Sequence, residues 1–205
     1  MNKRFGFTLS EVLITMSIIG VISALTVPTL VSNYQQKALA VKLRKVVREL
    51  VDAADMLMTE EGKTKFSATT GYSDLDTFVT TRLKTIKTCA SGSTSSCFAS
   101  VNYRSISGTS ASAAFACSGK SYVLADSAAI CLFKDDTYKP DVAVVVDVNG
   151  QKGPNMAGRD LFMFTLDDVT GDAAEAGAAS TCRSGTTGVG CFDLLVNENN
   201  WEMRY

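Results

Sequence analysis

The spacing of apolar residues divides the chain into three parts. Residues 7–31 form one long apolar run in which Glu11 is the only charged residue. Between residues 32 and 61, apolar residues recur at steps of three and four positions with charged residues between them, which is typical of an amphipathic helix. After Gly62 the pattern changes to short apolar runs separated by Gly, Pro, Asp and Asn, which indicates strands and turns.

The apolar run is long enough to cross a membrane. Residues 12–36 contain no charged residue, and a helix of this length would measure about 37 Å at a rise of about 1.5 Å per residue. A lipid hydrocarbon core is about 30 Å thick. The run therefore predicts one membrane span in the precursor. The presence of Glu11 in this run indicates a functional role, because placing a carboxylate in hydrocarbon is energetically unfavourable and such a group usually has a partner.

The segment before this run is short and basic. Residues 1–6 include Lys3 and Arg4 and end in Gly6, which leaves the backbone accessible to a protease. A secretory signal peptide has its small-residue cleavage site after the apolar core, whereas here the best site precedes the core. The sequence GFTLSE at residues 6–11 resembles the prepilin signature of type IV pilins and of the pseudopilins of type II secretion systems. An ordinary signal anchor is the alternative.

The resemblance implies how the precursor is processed and assembled. A prepilin peptidase would cut between Gly6 and Phe7 and methylate the new amino group of Phe7. Glu11 would then pair with the Phe7 amine of a neighbouring subunit and set the register of a filament. Pro28 lies where these proteins have a proline that kinks the helix. The implied regions are a leader peptide at residues 1–6, a transmembrane and filament-core helix at 7–31, an amphipathic half of the same helix at 32–61, and a globular head at 62–205.

For the head, the sequence predicts one antiparallel sheet. We expect the long helix to end near Glu61 with Gly62 as its cap, followed by a short helix at 77–86 and a loop-rich segment at 89–119. Runs rich in β-branched and aromatic residues predict strands at 121–125, 130–134, 142–148, 161–166 and 191–196. Four or five strands packed against the amphipathic half-helix give an α+β, pilin-like fold.

Six cysteines follow the apolar run. If the anchor places the head outside the cytoplasm, an even number of cysteines favours disulfides. A zinc site is the alternative, but zinc ligands are usually more closely paired, and the chain has no C-x-x-C sequence. Among the possible pairings, the spacing favours the three sequence-local ones: Cys89 with Cys97, Cys117 with Cys131, and Cys182 with Cys191.

Composition argues against catalysis and against nucleic-acid binding. The chain has no histidine, which removes the commonest general base, the usual partner of a nucleophilic Ser or Cys, and imidazole metal ligands. Lys and Arg number 20 against 21 for Asp and Glu, so no excess of positive charge points to nucleic acid. We therefore expect a protein that is not an enzyme and has no catalytic residues.

Residues 147–160, between the third and fourth predicted strands, contain many polar oxygen atoms. Asp147, Asn149, Asn155 and Asp160 offer the carboxylate and amide oxygens that calcium prefers. Major pseudopilins resemble this chain in carrying a calcium loop late in the head, although Gly150 comes too early for an EF-hand. The alternative is a metal-free hairpin connection, because Asn-Gly and Gly-Pro form turns without a metal.

These features lead to two functional hypotheses. The first is a structural subunit of a type IV pilus-like filament, more specifically a type II secretion pseudopilin. Its partners would be other pilins or pseudopilins, the prepilin peptidase and an inner-membrane assembly platform. The precursor would cross the bacterial inner membrane once with its head in the periplasm, and the assembled subunit would lie in a periplasmic or surface filament. The second hypothesis is a minor, tip-located pilin whose cysteine-pinned loops act as an adhesin or binding module.

Overall fold

The computed structural model describes residues 6, 8–91, 96–100, 102–111, 115–175, 179–183 and 187–203. The chain forms two compact units, Met1–Ala38 and Leu39–Tyr205. The described part of the first unit is helical from Leu9 onward. The second unit, called the head unit below, contains the remainder of that helix and a β-sheet.

The long helix, α1, covers Leu9–Glu60 and includes Pro28. The helix continues past the proline, and the kink expected there stays a prediction. Large apolar side chains between residues 9 and 31 are exposed, whereas from Ala40 onward one face of the helix is buried. The change in burial follows the change in the apolar pattern along the sequence.

The C-terminal end of α1 is closed by a glycine cap. Gly62 has a φ of 61°, a left-handed conformation that glycine adopts without steric cost. The Gly62 amide donates to the Thr59 carbonyl at 3.2 Å, and the Lys63 amide donates to the Met58 carbonyl at 2.8 Å. These two bonds form a Schellman motif. The predicted end of the helix beside Gly62 is therefore confirmed.

The head unit contains a six-stranded sheet in which neighbouring strands follow chain order and are antiparallel. The strands are β1 (Thr85–Cys89), β2 (Ser121–Leu124), β3 (Ala129–Phe133), β4 (Val142–Asp147), β5 (Leu161–Leu166) and β6 (Ala173–Glu175). Strands β2 to β5 agree with four of the predicted runs. The two edge strands, β1 and β6, were not predicted, because a short edge strand has little apolar content.

Short helices complete the described head unit. A 3₁₀ turn at Phe66–Ala68 precedes α2 (Thr70–Ser73) and α3 (Leu75–Arg82), and α4 (Ala179–Arg183) precedes α5 (Cys191–Asp193) and a π-helical turn at Leu194–Glu198. The strand predicted at 191–196 is therefore wrong. Its adjacent residues Leu194 and Leu195 are both buried, which a helical turn permits but a strand exposed on one face does not. The helix predicted at 77–86 ends earlier, at Arg82.

One face of the sheet packs against α1. Leu43, Val46 and Leu50 of the helix are fully buried and belong to the same apolar cluster as Val144 and Phe164 of the sheet. Full burial of such a side chain contributes about 1.5–3 kcal/mol to stability. This arrangement is the predicted α+β, pilin-like architecture, with the amphipathic part of the long helix on an antiparallel sheet.

The opposite face of the sheet is covered by the described residues 97–100, 102–111 and 115–117, called the cover layer below. Phe98, Tyr103 and Phe115 of this layer pack on side chains such as Val145 and Met163 of the central strands. The central strands β3, β4 and β5 are consequently buried along their whole length. The head unit thus has three layers, whereas the sequence predicted only two.

Two of the three disulfides connect the cover layer to the sheet. Cys89 pairs with Cys97 and Cys117 with Cys131, which tie both ends of the cover layer to β1 and β3. The third disulfide joins Cys182 of α4 to Cys191 of α5. These are the three sequence-local pairs that the spacing favours. Each closes a short loop, for which the chain-entropy model gives about 2–3 kcal/mol of stabilisation.

Candidate functional site

The N-terminus of α1 is capped by its own side chains. Both the Thr8 amide and the Thr8 hydroxyl donate to Glu11 Oε2 at 2.8 Å. In return, the Glu11 amide donates to Thr8 Oγ1 at 3.3 Å. This reciprocal arrangement is a capping box, which satisfies amides that the first helical turn leaves without partners. The sequence analysis missed it, although the T-x-x-E spacing from Thr8 to Glu11 is its usual signal.

The capping box leaves the charge of Glu11 unbalanced. Oε1 of Glu11 accepts no hydrogen bond from the described residues, and the carboxylate forms no ion pair with them. Phe7, whose amine was expected to be the partner, lies outside the described residues. Gly6, on the other side of the expected cleavage point, is exposed. Cleavage at this bond, methylation of Phe7 and the pairing with Glu11 therefore stay predictions.

The helix that follows is apolar and uncovered. Leu9, Leu25 and Leu30 are each more than 70% exposed within the described chain. By length and composition alone, α1 is the one described helix that could cross a membrane, and no residue of its most apolar 18-residue window is buried. A soluble protein rarely exposes so many adjacent apolar side chains. A lone carboxylate therefore lies at the start of an apolar helix that needs a partner or a lipid environment.

The comparison with protein-family models decides what this segment is. Residues 1–27 match the model of the prokaryotic N-terminal methylation motif. The chain carries the type IV pilin and pseudopilin signature. Comparisons with curated proteins and with solved structures gave no match.

The signature covers the leader, the capping box and most of the apolar run, while the head lies outside it. It supports a pilin-like or pseudopilin subunit that is processed by a prepilin peptidase and assembles into a pilus-like filament. Together with the apolar helix, it fits a precursor in the inner membrane. It also points to a structural subunit.

The second candidate site is the connection between β4 and β5. Asp147 ends β4, and Asp160 immediately precedes β5, where Leu161 pairs with Asp147. The antiparallel pairing thus brings the two carboxylates to the same end of the sheet, and both are fully buried. The structure therefore brings together two of the four residues proposed from sequence as calcium ligands, and the cover layer closes over them.

Both carboxylates accept hydrogen bonds from the chain itself. Asp147 Oδ2 accepts from the Tyr103 hydroxyl, and Asp147 Oδ1 accepts from the Asn149 amide at 3.0 Å. The two oxygens of Asp160 accept from the amides of Asn155 at 2.6 Å and Met156 at 2.7 Å. Protein donors thus hold the loop in place where a calcium site would present free oxygens.

Burial dominates the electrostatics of this pair. It raises the pKa of Asp147 to about 7, against the lowering effect of the Tyr103 hydroxyl, and the nearby Asp160 raises it further. Burial also raises the pKa of Asp160, against the hydrogen bonds from the amides of Met156 and Asn155. The Tyr103 hydroxyl also accepts from the Ala99 amide at 3.1 Å. Asp147 is therefore linked through Tyr103 to the backbone of the cover layer.

Asn149 and Asn155 are the other two residues predicted from sequence as calcium ligands. Asn149 Nδ2 donates to the Gly153 carbonyl at 2.8 Å, while the buried side-chain oxygens of Asn149 and Asn155 have no partner among the described residues. Each oxygen of the two carboxylates already accepts a hydrogen bond from the chain, which leaves two unengaged amide oxygens where calcium takes six to eight oxygen ligands. The described residues also contain no group of three or more His, Cys, Asp or Glu side chains suited to a metal. The donor set as arranged does not fit calcium, so the calcium loop remains a sequence-based prediction.

Proposed function

We propose that the chain is a structural subunit of a helical, type IV pilus-like filament. The observation that carries the proposal is the methylation motif at residues 1–27, at the start of an apolar, uncovered helix that continues into a folded head unit. In this proposal residues 1–6 are removed, residues 7–31 lie in the membrane and later in the filament core, residues 32–61 join the core to the head, and residues 62–205 cover the filament.

The proposed role of Glu11 follows from the cost of unpaired charge in an apolar medium. Cleavage after Gly6 would create an amine on Phe7, and methylation would keep that amine cationic. A cation and a carboxylate that are each costly in hydrocarbon stabilise one another when copies stack side by side. Thr8 contributes by holding one oxygen of Glu11 at the helix terminus, and the other oxygen is available to the neighbouring amine.

Three variants separate the charge of Glu11 from its role in the cap. Glu11→Gln keeps a capping box, because Gln serves at this position as Glu does, but it removes the charge. Glu11→Ala removes both, and Thr8→Ala weakens the cap by about 1 kcal/mol while leaving the charge. We expect both Glu11 variants to lower the yield of sheared fibres by about a hundredfold or more, since an unpaired buried charge costs about 3–5 kcal/mol. Thr8→Ala should have a smaller effect.

The readout is the amount of subunit in sheared fibres relative to the amount in the membrane fraction, measured by immunoblot of the full-length chain. Mass spectrometry of the mature protein provides the control, because it shows whether each variant is still cleaved before Phe7. If Glu11→Gln gives normal fibres and only Glu11→Ala loses them, Glu11 acts only as a helix cap and its charge is not needed. A mature protein that begins anywhere other than Phe7 would remove the basis of the proposal.

More specifically, we propose a pseudopilin of a type II secretion system, located in a periplasmic pseudopilus. The support is the resemblance of the loop at residues 147–160 to the loop of major pseudopilins. This support comes from the sequence alone, because in the structure the carboxylates of the loop accept hydrogen bonds from the chain itself. Deletion of the gene tests this assignment. A pseudopilin mutant retains exported proteins in the periplasm, whereas a pilus mutant loses surface fibres and secretes normally.

A second candidate function is that of a minor, tip-located binding subunit. The observation that favours it is a polar cleft of about 520 Å³ where the cover layer meets the β4–β5 connection, lined by Ser100, Asn102, Arg104, Pro154 and Asn155. Hydroxyl, amide and guanidinium groups on a disulfide-braced scaffold are suited to recognising a polar surface. Abundance separates the two functions, because a major subunit dominates sheared fibres and a tip subunit is present in traces.

A further inference from the structure

The head unit has a groove between α1 and the β6 edge of the sheet. The groove has a volume of about 780 Å³, and its apolar lining includes Val51 of the helix, Ala173 of β6, and Phe192 and Trp201 near the C-terminus. Neither Val51 nor Trp201 is fully covered within the described chain. The groove is therefore a place where an apolar side chain from another molecule could be buried.

The C-terminal side of the groove is held in a defined shape. Trp201 packs edge-on against Phe192 with ring centroids 6.3 Å apart, and the guanidinium carbon of Arg44 lies 5.6 Å from the Trp201 ring centroid. Asn200 and Trp201 have φ values of 46° and 64°. Two consecutive non-glycine residues in the left-handed region are unfavourable unless surrounding contacts hold them. The indole is thus fixed in the groove wall and is not a loose surface side chain.

The rim of the groove has two differently charged ends. Arg44 and Arg48 lie towards one end, and Asp55 and Asp172 lie towards the other. A Cβ added at Gly171, next to Asp172, would lie 3.7 Å from the Asp55 amide nitrogen, which places Asp172 at the Asp55 end. Residues 44 and 55 are separated by about 16 Å along a helix. Both carboxylates are exposed and form no ion pair within the described part of the chain. The acidic end of the groove therefore suits a basic partner.

The other edge of the same sheet presents a feature that complements this groove. In β1, Thr85 pairs with Leu124 and Lys87 pairs with Val123, so Ile86 is the extra residue of a β-bulge. A bulge redirects the side chain of its extra residue, and Ile86 is 67% exposed. Lys84 and Lys87 flank it on the chain, and both are exposed. Ile86 with its two lysines is called the β1 knob below.

Ile86 of the β1 knob cannot reach the groove of its own chain, although Lys84 lines a separate pocket together with Asp52 of that chain. Strands β1 and β6 are the two edges of a six-stranded sheet, and five strand spacings of about 4.8 Å separate them by about 24 Å. We propose that the β1 knob of one copy docks in the groove of a second copy, with Ile86 on the apolar lining and its lysines near Asp55 and Asp172. This inference rests on the proposed filament function and names the surfaces by which the heads meet.

The contact uses two different surfaces, and this determines the kind of assembly. Because each copy has one knob and one groove, every docked pair leaves one knob and one groove free for further copies. A heterologous contact of this kind produces an open helical array unless its rotation closes a ring. The head units would therefore add their own direction of growth to the contacts made by the apolar helices.

Disulfide trapping in assembled fibres tests the contact. The double variant Ile86→Cys, Val51→Cys places one thiol on the β1 knob and one on the groove lining of every full-length copy. Mild oxidation of sheared fibres should then give a ladder of covalent dimers, trimers and larger species on non-reducing gels. Each single variant should stay monomeric, because like positions do not face each other in a heterologous contact. The control pair Ile86→Cys, Asp136→Cys uses an exposed position outside the groove, and it should also stay monomeric.

Charge reversal provides an independent measurement. Lys84→Glu or Asp55→Lys alone should lower fibre yield by about fivefold or more, because like charges would face each other across the contact. The two substitutions combined should restore most of the yield. The control is Lys139→Glu, which removes only an exposed ion pair with Asp136 and should change little.

The outcomes separate this inference from the proposed function. Wild-type fibres together with a ladder only from the knob-and-groove pair support the contact. Wild-type fibres of normal yield without that ladder overturn the contact and leave the filament function intact. Dimers from Ile86→Cys alone also overturn it, because they indicate a symmetric contact. If the wild-type chain never enters a fibre, the filament function and this inference are both overturned.

Discussion

Leu13 and Leu50 belong to the same helix, yet Leu13 is 60% exposed and Leu50 is fully buried. Leu50 packs in the apolar cluster between α1 and the sheet, whereas no described residue of the first unit covers Leu13. Leaving apolar surface in water is unfavourable by about 25 cal/mol per Å². The difference teaches that the head unit completes its own packing, while the apolar part of α1 depends on a membrane or on other copies.

Charged groups show the same contrast between the two regions. Asp147 is buried in the head unit, and both of its oxygens accept hydrogen bonds from the same chain. Glu11 is exposed and is bonded only to Thr8, three residues away. One carboxylate is thus satisfied by folding, and the other retains an oxygen for a partner outside the chain.

Truncating Leu50 in the head unit and Leu13 in the first unit should change the free energy of unfolding of the head unit by very different amounts. Leu50→Ala should lower the free energy of unfolding of the head unit by about 2–5 kcal/mol, since it leaves a cavity in the core. Leu13→Ala should leave it unchanged, because Leu13 makes no contact in the head unit's core. Thermal unfolding of the purified full-length chain in detergent, followed by near-ultraviolet circular dichroism, measures both. Equal destabilisation by the two variants would contradict the division.

The buried carboxylates should make the stability of the head unit depend on pH. Burial raises the pKa of Asp147 to about 7, whereas an unfolded Asp titrates near pH 4. Between these values the folded state retains a proton that the unfolded state has released. Stability from this group is therefore fully present below about pH 4 and falls as the pH rises to about 7, by at most about 4 kcal/mol. Asp147→Asn should flatten this part of the melting-temperature profile.

Added calcium would have the opposite effect on the melting temperature at neutral pH if residues 147–160 bound it. Calcium binding requires deprotonated carboxylates, so a calcium loop would gain stability at neutral pH when the ion is added. We expect added calcium to leave the melting temperature at pH 7 unchanged, because hydrogen bonds already occupy the carboxylates of the loop. A calcium-dependent rise, with heat in a calorimetric titration, would instead support the sequence-based calcium hypothesis.

Alanine substitutions of one glycine in each unit should give the smallest difference in the stability of the head unit. Gly62 caps α1 with a φ of 61°, and no atom lies within 4 Å of an added Cβ. Gly62→Ala should therefore destabilise the head unit by about 1–2 kcal/mol through backbone strain alone. Gly20 also has open space but lies inside the helix of the first unit. Gly20→Ala should leave the melting temperature of the head unit unchanged, and a comparable loss in both variants would show that the two regions unfold together.

Local patterns were sufficient to predict several elements. The apolar run, the amphipathic continuation and the Gly62 cap each depend on neighbours within a few residues along the chain. The runs that became β2 to β5 are apolar enough to be recognised in the same way. The pairing Cys89 with Cys97 closes a loop so short that sequence proximity favours it. The Thr8 to Glu11 capping box is equally local, because its two residues are three positions apart in the chain.

Other features depended on contacts between distant residues. The segment 191–196 has the apolar content of a strand and was predicted as one, whereas in the fold it is helical and Phe192 stacks on Phe164 of β5. The Asp147 carboxylate looked like a free calcium ligand, because the sequence does not show that Tyr103 donates to it from a residue 44 positions away. The cover layer likewise gives no periodic signal, since irregular segments bury side chains at irregular intervals.

The sequence by itself therefore determined the membrane-directed N-terminus, the long helix and the α+β class, because these follow from periodicity and from a motif within 27 residues. Only the tertiary structure decided that the sheet is covered on both faces, that the loop carboxylates are satisfied internally, and that a groove and a knob lie at opposite sheet edges. The physical reason is distance along the chain. Local geometry depends on neighbouring residues, whereas burial and partner choice depend on residues that only folding brings together.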